Sequence, residues 1–260
     1  MIDLHNHILP ALDDGAANLD ESLEIARQFV LEGVDRVAAT SHVDPDRGIG
    51  VPAAEIRTRV DALQAALNRA GIGLTVLPGH ELYLTPEAPA FLQSGKVSTL
   101  AGGSFVLVEV SFTQPPIYLD ETVFRLGLAG YRPILAHPER YAFIQNDLDQ
   151  VDRLIARDIV LQLTAPSLLG EYGGAVRKTA ERILRRGGYA LAASDRHHPG
   201  PHRSLAALHD TIARRFNPDL ADLLLQENPA RVLAGRSPIA PEPLAPRQTS
   251  FLSRLFPSRP

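Results

Sequence analysis

The sequence predicts an α/β fold in which parallel strands close into a barrel. Short apolar runs alternate with helical patterns over roughly the first 235 residues, as is typical of βα units. The chain has 260 residues, close to the ~250 of a single barrel. An open, doubly wound sheet is the alternative. The predicted strands are Ile2–Leu4, Arg36–Thr40, Leu74–Leu77, Phe105–Val110, Pro133–Ala136, Ile159–Leu163 and Tyr189–Ala193.

Helical periodicity fills the segments between these strands. Asn18 followed by Glu21 is typical of a capping box at the start of the first helix, and Gly33 ends it. The second helix has apolar residues every three or four positions and stops at Gly71. The predicted helices are Leu19–Glu32, Pro52–Ala70, Leu119–Leu128, Leu148–Arg157, Ala175–Arg186 and Ser204–Phe216.

The composition changes near the end of the chain. Six prolines lie between Pro238 and Pro260, and no acidic residue follows Glu242. We predict one domain over residues 1–237 and a flexible, Pro-rich tail over residues 238–260. A weak contact with a membrane or a partner is the alternative role of this tail, because three arginines alternate there with four apolar residues: Arg247, Phe251, Leu252, Arg254, Leu255, Phe256 and Arg259.

Charge and cysteine usage exclude several functions. The net charge is -4, and no basic stripe of the kind that binds nucleic acid is present. The absence of cysteine excludes disulfides, thiolate metal sites and a cysteine nucleophile. No signal peptide and no long apolar stretch are visible, so we predict a cytoplasmic chain without a transmembrane segment.

Six of the seven predicted strands end in, or carry, a residue that can bind a metal ion. His5 and His7 point the same way after the first strand, and Glu109 lies in an apolar run where an unpaired carboxylate is costly. His80 is predicted to be a buried histidine that does not bind metal, because its neighbour Glu81 is the better candidate ligand. Carboxyl ends of barrel strands converge on one face. The candidates are His5, His7, Asp13–Asp14, His42, Glu81, Glu109, His137, Asp195 and His197.

The type of ligand constrains the metal. Only nitrogen and oxygen ligands are available, which suits Mn²⁺, Fe²⁺, Zn²⁺ or Mg²⁺ better than a soft metal. The candidates are too numerous for one ion, so two or three ions sharing a bridging carboxylate are expected.

Several motifs together resemble the polymerase-and-histidinol-phosphatase (PHP) superfamily. They are His5-Asn-His7, His42, Gly79-His-Glu81, Glu109, His137-Pro-Glu-Arg-Tyr141 and Ser194-Asp-Arg-His197. The opening residues 1–15, the segment Leu163–Leu168 and Asn228-Pro229 are similar to the bacterial manganese-dependent protein-tyrosine phosphatases of capsule and exopolysaccharide biosynthesis. The resemblance covers roughly residues 1–235.

The resemblance implies a single domain with a distorted (β/α)₇ TIM-like barrel of the PHP type. It also implies three metal ions, for which Mn²⁺ is the expected metal. One ion would be held by His5, His7, Glu81 and Asp195. A second would share Glu81 and add Glu109 and His137, and a third would use Asp14, His42 and His197.

The implied activity is hydrolysis of phosphotyrosine by a metal-activated hydroxide. The implied substrate is a bacterial tyrosine autokinase that controls capsular or exopolysaccharide synthesis. Arg140 is predicted to clamp the phosphate, because its planar fork suits phosphate, and Tyr141 to contact the substrate. The loop after Asp195 departs from the family's pattern, so Arg196 or Arg203 is predicted to provide a second arginine contact.

Three other functions remain open on the sequence. A small-molecule phosphatase, acting on histidinol phosphate or a sugar phosphate, would use the same metal site. A metal-binding module without activity would be expected to lack several ligands, and a nuclease would be expected to carry a basic surface. Five loop aromatics either face a substrate ring or pack at the rim: Tyr83, Phe112, Tyr118, Tyr141 and Tyr172.

Overall fold

Nine short strands, all paired in parallel, form two sheets within residues 1–244, the part of the chain that the computed structural model describes. The first sheet has the order β1-β2-β4, and the second has the order β3-β5-β6-β7-β8-β9. The strands are β1 Ile2–Asn6, β2 Arg36–Ala39, β3 His42–Val43, β4 Thr75–Pro78, β5 Glu81–Tyr83, β6 Phe105–Glu109, β7 Arg132–Ala136, β8 Val160–Thr164 and β9 Leu191–Ala193.

All seven predicted strands are present. Two further short strands, β3 and β5, each follow a two-residue interruption after the preceding strand. Two residues separate the end of β2 from the start of β3, and two residues separate the end of β4 from the start of β5. At each interruption the chain passes from the first sheet to the second: β2 pairs with β4 in the first sheet, whereas β3 pairs with β5 in the second. The order of strands in each sheet follows the chain, without the reversal that defines a doubly wound sheet.

The first and last strands approach each other without a regular ladder. The Asp195 amide donates to the His5 carbonyl at 2.9 Å, and the His7 amide donates to the Arg196 carbonyl at 2.8 Å. The parallel α/β architecture is therefore confirmed for residues 1–244, but their two sheets do not form one continuous closed ladder.

The six predicted helices are present, with ends that differ by at most two residues. The Asn18 side chain accepts from the Glu21 amide at 3.0 Å, and Glu21 accepts from the Ala17 amide at 3.0 Å. Gly33 ends this first helix with a positive φ of 79°. The α-helices are α1 Leu19–Leu31, α2 Ala53–Arg69, α3 Ala88–Gln93, α4 Leu119–Leu128, α5 Ala142–Asn146, α6 Asp149–Ile155, α7 Ala165–Leu169, α8 Gly173–Arg185, α9 Leu205–Arg215, α10 Pro218–Asp222 and α11 Asn228–Leu233; a π-helical turn, Leu223–Glu227, links the last two, and 3₁₀ turns lie at Leu100–Gly102 and Pro138–Arg140.

Side chains on the two faces of the strands build two apolar layers. Alternate residues of a strand point to opposite faces, so Phe105 and Leu107 join an inner cluster while Val106 and Val108 pack outward in a larger one. Val232 of α11 also belongs to the inner cluster. The apolar side chains thus hold the strands in place and leave their carboxyl ends to polar residues.

Residues 238–244 of the predicted tail contact the domain. The Asn228 side chain accepts from the Ile239 amide at 2.7 Å and donates to the Ile239 carbonyl at 2.8 Å. The Leu244 amide donates to the Arg185 carbonyl at 2.9 Å. The remainder of the tail, residues 245–260, lies outside the described part of the chain. Among residues 1–244, no helix combines the length and apolarity needed to cross a bilayer.

Candidate active site

The nine ligands assigned by resemblance lie together at the carboxyl ends of the strands. His5 lies in β1, Glu81 begins β5 and Glu109 ends β6, while His137 follows β7 and Asp195 follows β9. Each member has a side-chain nitrogen or oxygen within 3.7 Å of another member. The full set is His5, His7, Asp14, His42, Glu81, Glu109, His137, Asp195 and His197.

Glu81 is at the centre of this cluster. Its Oε2 lies 3.0 Å from His5 Nε2, 3.4 Å from His7 Nε2 and 3.3 Å from His42 Nδ1. Its Oε1 lies 3.1 Å from His137 Nε2. One buried carboxylate therefore contacts four imidazoles with its two oxygens, an arrangement compatible with a group that bridges two ions.

The other carboxylates lie around this centre. Asp195 Oδ1 is 3.5 Å from His5 Nε2 and 3.8 Å from His7 Nε2. Asp14 Oδ1 is 3.3 Å from His197 Nε2.

Glu109 and His42 extend the cluster towards solvent. The distance from His42 Nε2 to Asp14 Oδ1 is 3.5 Å, and the distance from His42 Nδ1 to Glu109 Oε1 is 3.7 Å. Three groups of potential ligands result, and they share His7, His42 and Glu81: His7, Asp14, His42 and His197; His5, His7 and Glu81; His42, Glu81 and Glu109.

Two buried atoms of the cluster show that these residues fit a cation. His7 Nε2 and Asp195 Oδ2 have no hydrogen-bond partner among residues 1–244. A buried polar atom without a partner costs free energy, and a divalent ion would satisfy both atoms. The His7 ring also stacks on the His197 ring at a centroid distance of 3.9 Å.

The pKa values of the cluster reflect the balance of burial and charge. Burial opposes the charged form of His5, but Glu81 and Asp195 raise its pKa overall. Burial also opposes ionisation of Glu81, but His5 and His137 hold its pKa well below the usual range. Burial and the nearby Glu81 raise the pKa of Glu109 to about 8. The cluster without ions therefore binds protons that divalent ions would replace.

Two residues behind the cluster orient its buried histidines. His5 Nδ1 lies 2.9 Å from Gln162 Oε1, and His7 Nδ1 lies 2.8 Å from Asp13 Oδ2. In these contacts Nδ1 carries the proton and donates a hydrogen bond to Gln162 or Asp13, which leaves Nε2 free to bind a metal ion, as is usual for metal-bound histidine. The sequence reasoning did not identify Gln162, although a polar residue inside the apolar run of β8 was a usable signal.

Asp13 also fixes the loop that carries Asp14. It accepts from the His42 amide at 3.0 Å and from the Gly15 amide at 3.1 Å. Burial opposes its ionisation, but the contact with His7 lowers its pKa to about 2.

Gly15 allows this loop to pass close to His7. A Cβ atom at Gly15 would lie 2.1 Å from the His7 carbonyl oxygen and 2.5 Å from His7 Cβ. We expect Gly15→Ala to destabilise the protein by at least about 2 kcal/mol, because backbone must move, and to weaken metal binding. Thermal unfolding and metal titration of the variant test this.

Gly73→Ala is the matched control, since a Cβ there meets no atom within 4 Å. Equal stability and equal metal affinity in the two variants would contradict the assigned role of Gly15.

A cavity of about 510 Å³ opens above the cluster. Arg140 lies in its wall between two rings, 4.8 Å from the Phe112 centroid and 4.5 Å from the Tyr172 centroid. Its Nη1 is 3.6 Å from Asp195 Oδ2. Arg203 also lines the cavity, where its Nη2 donates to the Tyr172 hydroxyl at 2.9 Å. Two arginines and two aromatic rings therefore face the space in front of the ligands.

Arg203 is held by the ligand loop itself. Its Nη1 contacts the Asp195 carbonyl oxygen and His197 Nδ1. Of the two arginines predicted for a second phosphate contact, the structure places Arg203 at the cavity.

Arg196 does not reach the cavity. Its side chain is fully buried, with Nη2 2.5 Å from Glu32 Oε1 and Nη1 3.3 Å from Gln28 Oε1. Its guanidinium also lies 4.8 Å from the centre of the Phe29 ring. These contacts direct Arg196 towards α1, so its role is to anchor the loop between ligands Asp195 and His197.

Tyr141 does not line the cavity either. It is fully buried, and its hydroxyl accepts from the Val110 amide at 3.3 Å. Of the five loop aromatics, Phe112 and Tyr172 line the cavity, whereas Tyr83 and Tyr118 do not. Tyr141 therefore supports the wall of the cavity from behind.

His80 is a buried structural histidine, as predicted. Its Nδ1 accepts from the Ser98 amide at 2.9 Å. Burial lowers its pKa to about 4, so its ring is neutral at physiological pH.

Comparison with known proteins identifies relatives of this chain. The family model for capsular polysaccharide synthesis proteins, CpsB/CapC, matches residues 1–234. The tyrosine-protein phosphatase YwqE of Bacillus subtilis is 34% identical over 197 residues, which cover 76% of this chain and 77% of YwqE. The tyrosine-protein phosphatase CpsB of Streptococcus pneumoniae is 26% identical over 90% of this chain and 98% of its own length.

A solved structure extends the similarity to the fold. It comes from crystal structures of YwqE from Bacillus subtilis and CpsB from Streptococcus pneumoniae, described as metal-dependent tyrosine phosphatases. It has a TM-score of 0.87 and 30% identity, covering 95% of this chain and 100% of the matched one. The chain belongs to the CpsB/CapC family of capsular polysaccharide synthesis proteins.

Proposed function

We propose that this protein is a metal-dependent protein-tyrosine phosphatase that works without cysteine. The observation that carries the proposal is the cluster of nine potential ligands beneath a cavity lined by Arg140, Arg203, Phe112 and Tyr172. Divalent ions bound there would lower the pKa of water to generate a nucleophile and would neutralise phosphate oxygens. The names of the relatives support the same activity.

Residues of the cavity would bind and orient the substrate. The Arg140 and Arg203 guanidiniums can each donate two hydrogen bonds to phosphate oxygens. Phe112 and Tyr172 offer ring faces to a substrate phenyl ring. Tyrosine is a modest leaving group with a pKa near ~10, so a strong general acid is less necessary than for an alkyl phosphate.

We further propose that the nine ligands hold two or three Mn²⁺ ions, grouped as the family resemblance implies, with Glu81 as the bridge. Fe²⁺, Zn²⁺ and Mg²⁺ fit the same donors. The contacts between β1 and the segment after β9 support a distorted, seven-stranded barrel. The proposed substrate is an autophosphorylated bacterial tyrosine kinase of capsule or exopolysaccharide synthesis.

A substrate panel on Mn²⁺-reconstituted protein tests the activity. We expect kcat/KM for a phosphotyrosine peptide to exceed the values for a phosphoserine peptide and for histidinol phosphate by at least about tenfold. Faster turnover of histidinol phosphate would instead identify a small-molecule phosphatase.

Two variants test the role of the aromatic wall. Phe112→Leu should raise KM for the phosphotyrosine peptide, because Phe112 faces the cavity. Phe124→Leu is the matched control, since Phe124 is exposed on α4 and does not line this cavity. Equal effects of the two substitutions would remove Phe112 from substrate binding.

A further inference from the structure

A buried carboxylate lies between two residues of the active site. Glu139 is in the 3₁₀ turn Pro138–Arg140, after the ligand His137 and directly before Arg140. Its side chain is fully buried, and it belongs neither to the metal cluster nor to the wall of the cavity. Burial of a carboxylate is costly unless hydrogen bonds replace the lost hydration, so the groups that contact Glu139 decide its role.

Three donors from β8 and from the segment before β9 converge on Glu139. Its Oε1 accepts from the Thr164 amide and from the Thr164 hydroxyl, each at 3.2 Å. Its Oε2 accepts from the Tyr189 hydroxyl at 2.8 Å. Thr164 ends β8, and Tyr189 lies two residues before β9. The carboxylate therefore connects the turn after β7 to the next two strands of the sheet.

The side chains that donate to Glu139 are themselves fixed. The Ser167 hydroxyl lies 3.1 Å from the Thr164 hydroxyl, and both residues are fully buried. Burial and the adjacent Glu139 carboxylate raise the pKa of Tyr189 well above its usual range, so its hydroxyl keeps the proton that it shares. Thr164 and Ser167 belong to the segment Leu163–Leu168, which carries part of the family resemblance but none of the nine potential metal ligands.

The backbone of the turn needs this support. His137 has a positive φ of 38°, a conformation that residues other than glycine rarely adopt. The Arg140 amide donates to the His137 carbonyl at 2.9 Å and closes the turn. His137 is also held elsewhere, because its amide donates to the Gln162 carbonyl at 3.0 Å and its Nε2 lies 3.1 Å from Glu81 Oε1. The position of Arg140 therefore depends more on Glu139 than the position of His137 does.

We propose that Glu139 is a positioning residue that sets the direction of the Arg140 guanidinium, an inference that rests on the proposed phosphatase function. With the turn fixed, Arg140 extends between the Phe112 and Tyr172 rings, where it can meet a phosphate oxygen. An arginine that is already oriented loses less conformational freedom when the substrate binds. Glu139 contacts neither substrate nor metal in this proposal, and its effect passes through Arg140.

Glu139→Gln tests this role, because it keeps the size of the side chain and removes its charge. We expect kcat/KM for a phosphotyrosine peptide to fall by at least about tenfold in Mn²⁺-reconstituted protein. The number of bound metal ions per chain should not change, since other contacts hold the ligands. In an Arg140→Ala background, the same substitution should lower kcat/KM by less than about twofold, because the residue through which it acts is already absent.

Tyr189→Phe is a milder variant that removes one donor to Glu139 and keeps the ring, so folding should be preserved. It should lower kcat/KM by about fivefold. Tyr118→Phe is the matched control, since the Tyr118 hydroxyl donates to the Leu84 carbonyl at 3.1 Å and not to the turn. Its loss should leave kcat/KM within about twofold of the wild-type value.

Three results would overturn the proposal. Wild-type kcat/KM in both Glu139→Gln and Tyr189→Phe would show that the hydrogen bonds to Glu139 do not affect turnover. An equal loss in the wild-type and Arg140→Ala backgrounds would show that Glu139 does not act through Arg140, and loss of bound metal would assign its effect to His137. Absence of phosphotyrosine turnover in metal-reconstituted wild-type protein would instead overturn the proposed function itself.

Discussion

Replacement of Glu81 by glutamine will lower turnover of a phosphotyrosine peptide by at least about 10³-fold, or about 4 kcal/mol of transition-state stabilisation. The side chain keeps its size but loses the charge that four imidazoles share. An amide also presents N–H groups towards histidine nitrogens that must remain free to ligate. The metal content per chain should fall together with the rate.

Glu87→Gln is the control for this substitution. Glu87 is exposed six residues further along the chain and lies outside the cluster, so its substitution should change neither quantity. Full metal content and near-normal turnover in Glu81→Gln would show that Glu81 does not bridge ions.

Replacement of Arg140 by alanine will lower kcat/KM by ~10²-fold, the effect of losing a transition-state contact of about 2.7 kcal/mol. Its guanidinium is held over the ligands by Phe112, Tyr172 and Asp195, where it can receive a phosphate oxygen. Metal content should not change, because Arg140 ligates nothing. Steady-state kinetics and metal analysis of one sample measure both.

Arg132→Ala is a matched control for Arg140→Ala. Arg132 also lies over an aromatic ring, with its guanidinium 4.6 Å from the centre of Phe105. It begins β7, however, whereas Arg140 follows the carboxyl end of that strand. Its loss should leave kcat/KM within about twofold. Wild-type activity in Arg140→Ala would remove Arg140 from the site.

The seven main strands could be predicted because their largely apolar runs of three to six residues differ clearly from the helical segments beside them. The short strands β3 and β5 could not. Each follows a two-residue break, Thr40-Ser41 or Gly79-His80, that moves pairing to the other sheet. This change depends on contacts with neighbouring strands, which local sequence does not contain.

The position of most candidate ligands at or just after strand ends was visible in the sequence, but the direction of side chains in the loops was not. Arg196 and Arg203 lie in one loop, yet one guanidinium is buried against α1 and the other faces the cavity. Arg203 has a positive φ of 61°, a conformation that its residue type does not favour. Tyr141 similarly lies next to Arg140 in sequence but points into the core.

The most direct test of the metal-dependent mechanism is to measure bound metal and phosphotyrosine hydrolysis in the same sample, before and after chelation. We predict two or three divalent ions per chain, loss of activity with their removal by EDTA, and recovery when Mn²⁺ is returned. Full activity in protein that contains no bound metal would contradict the mechanism.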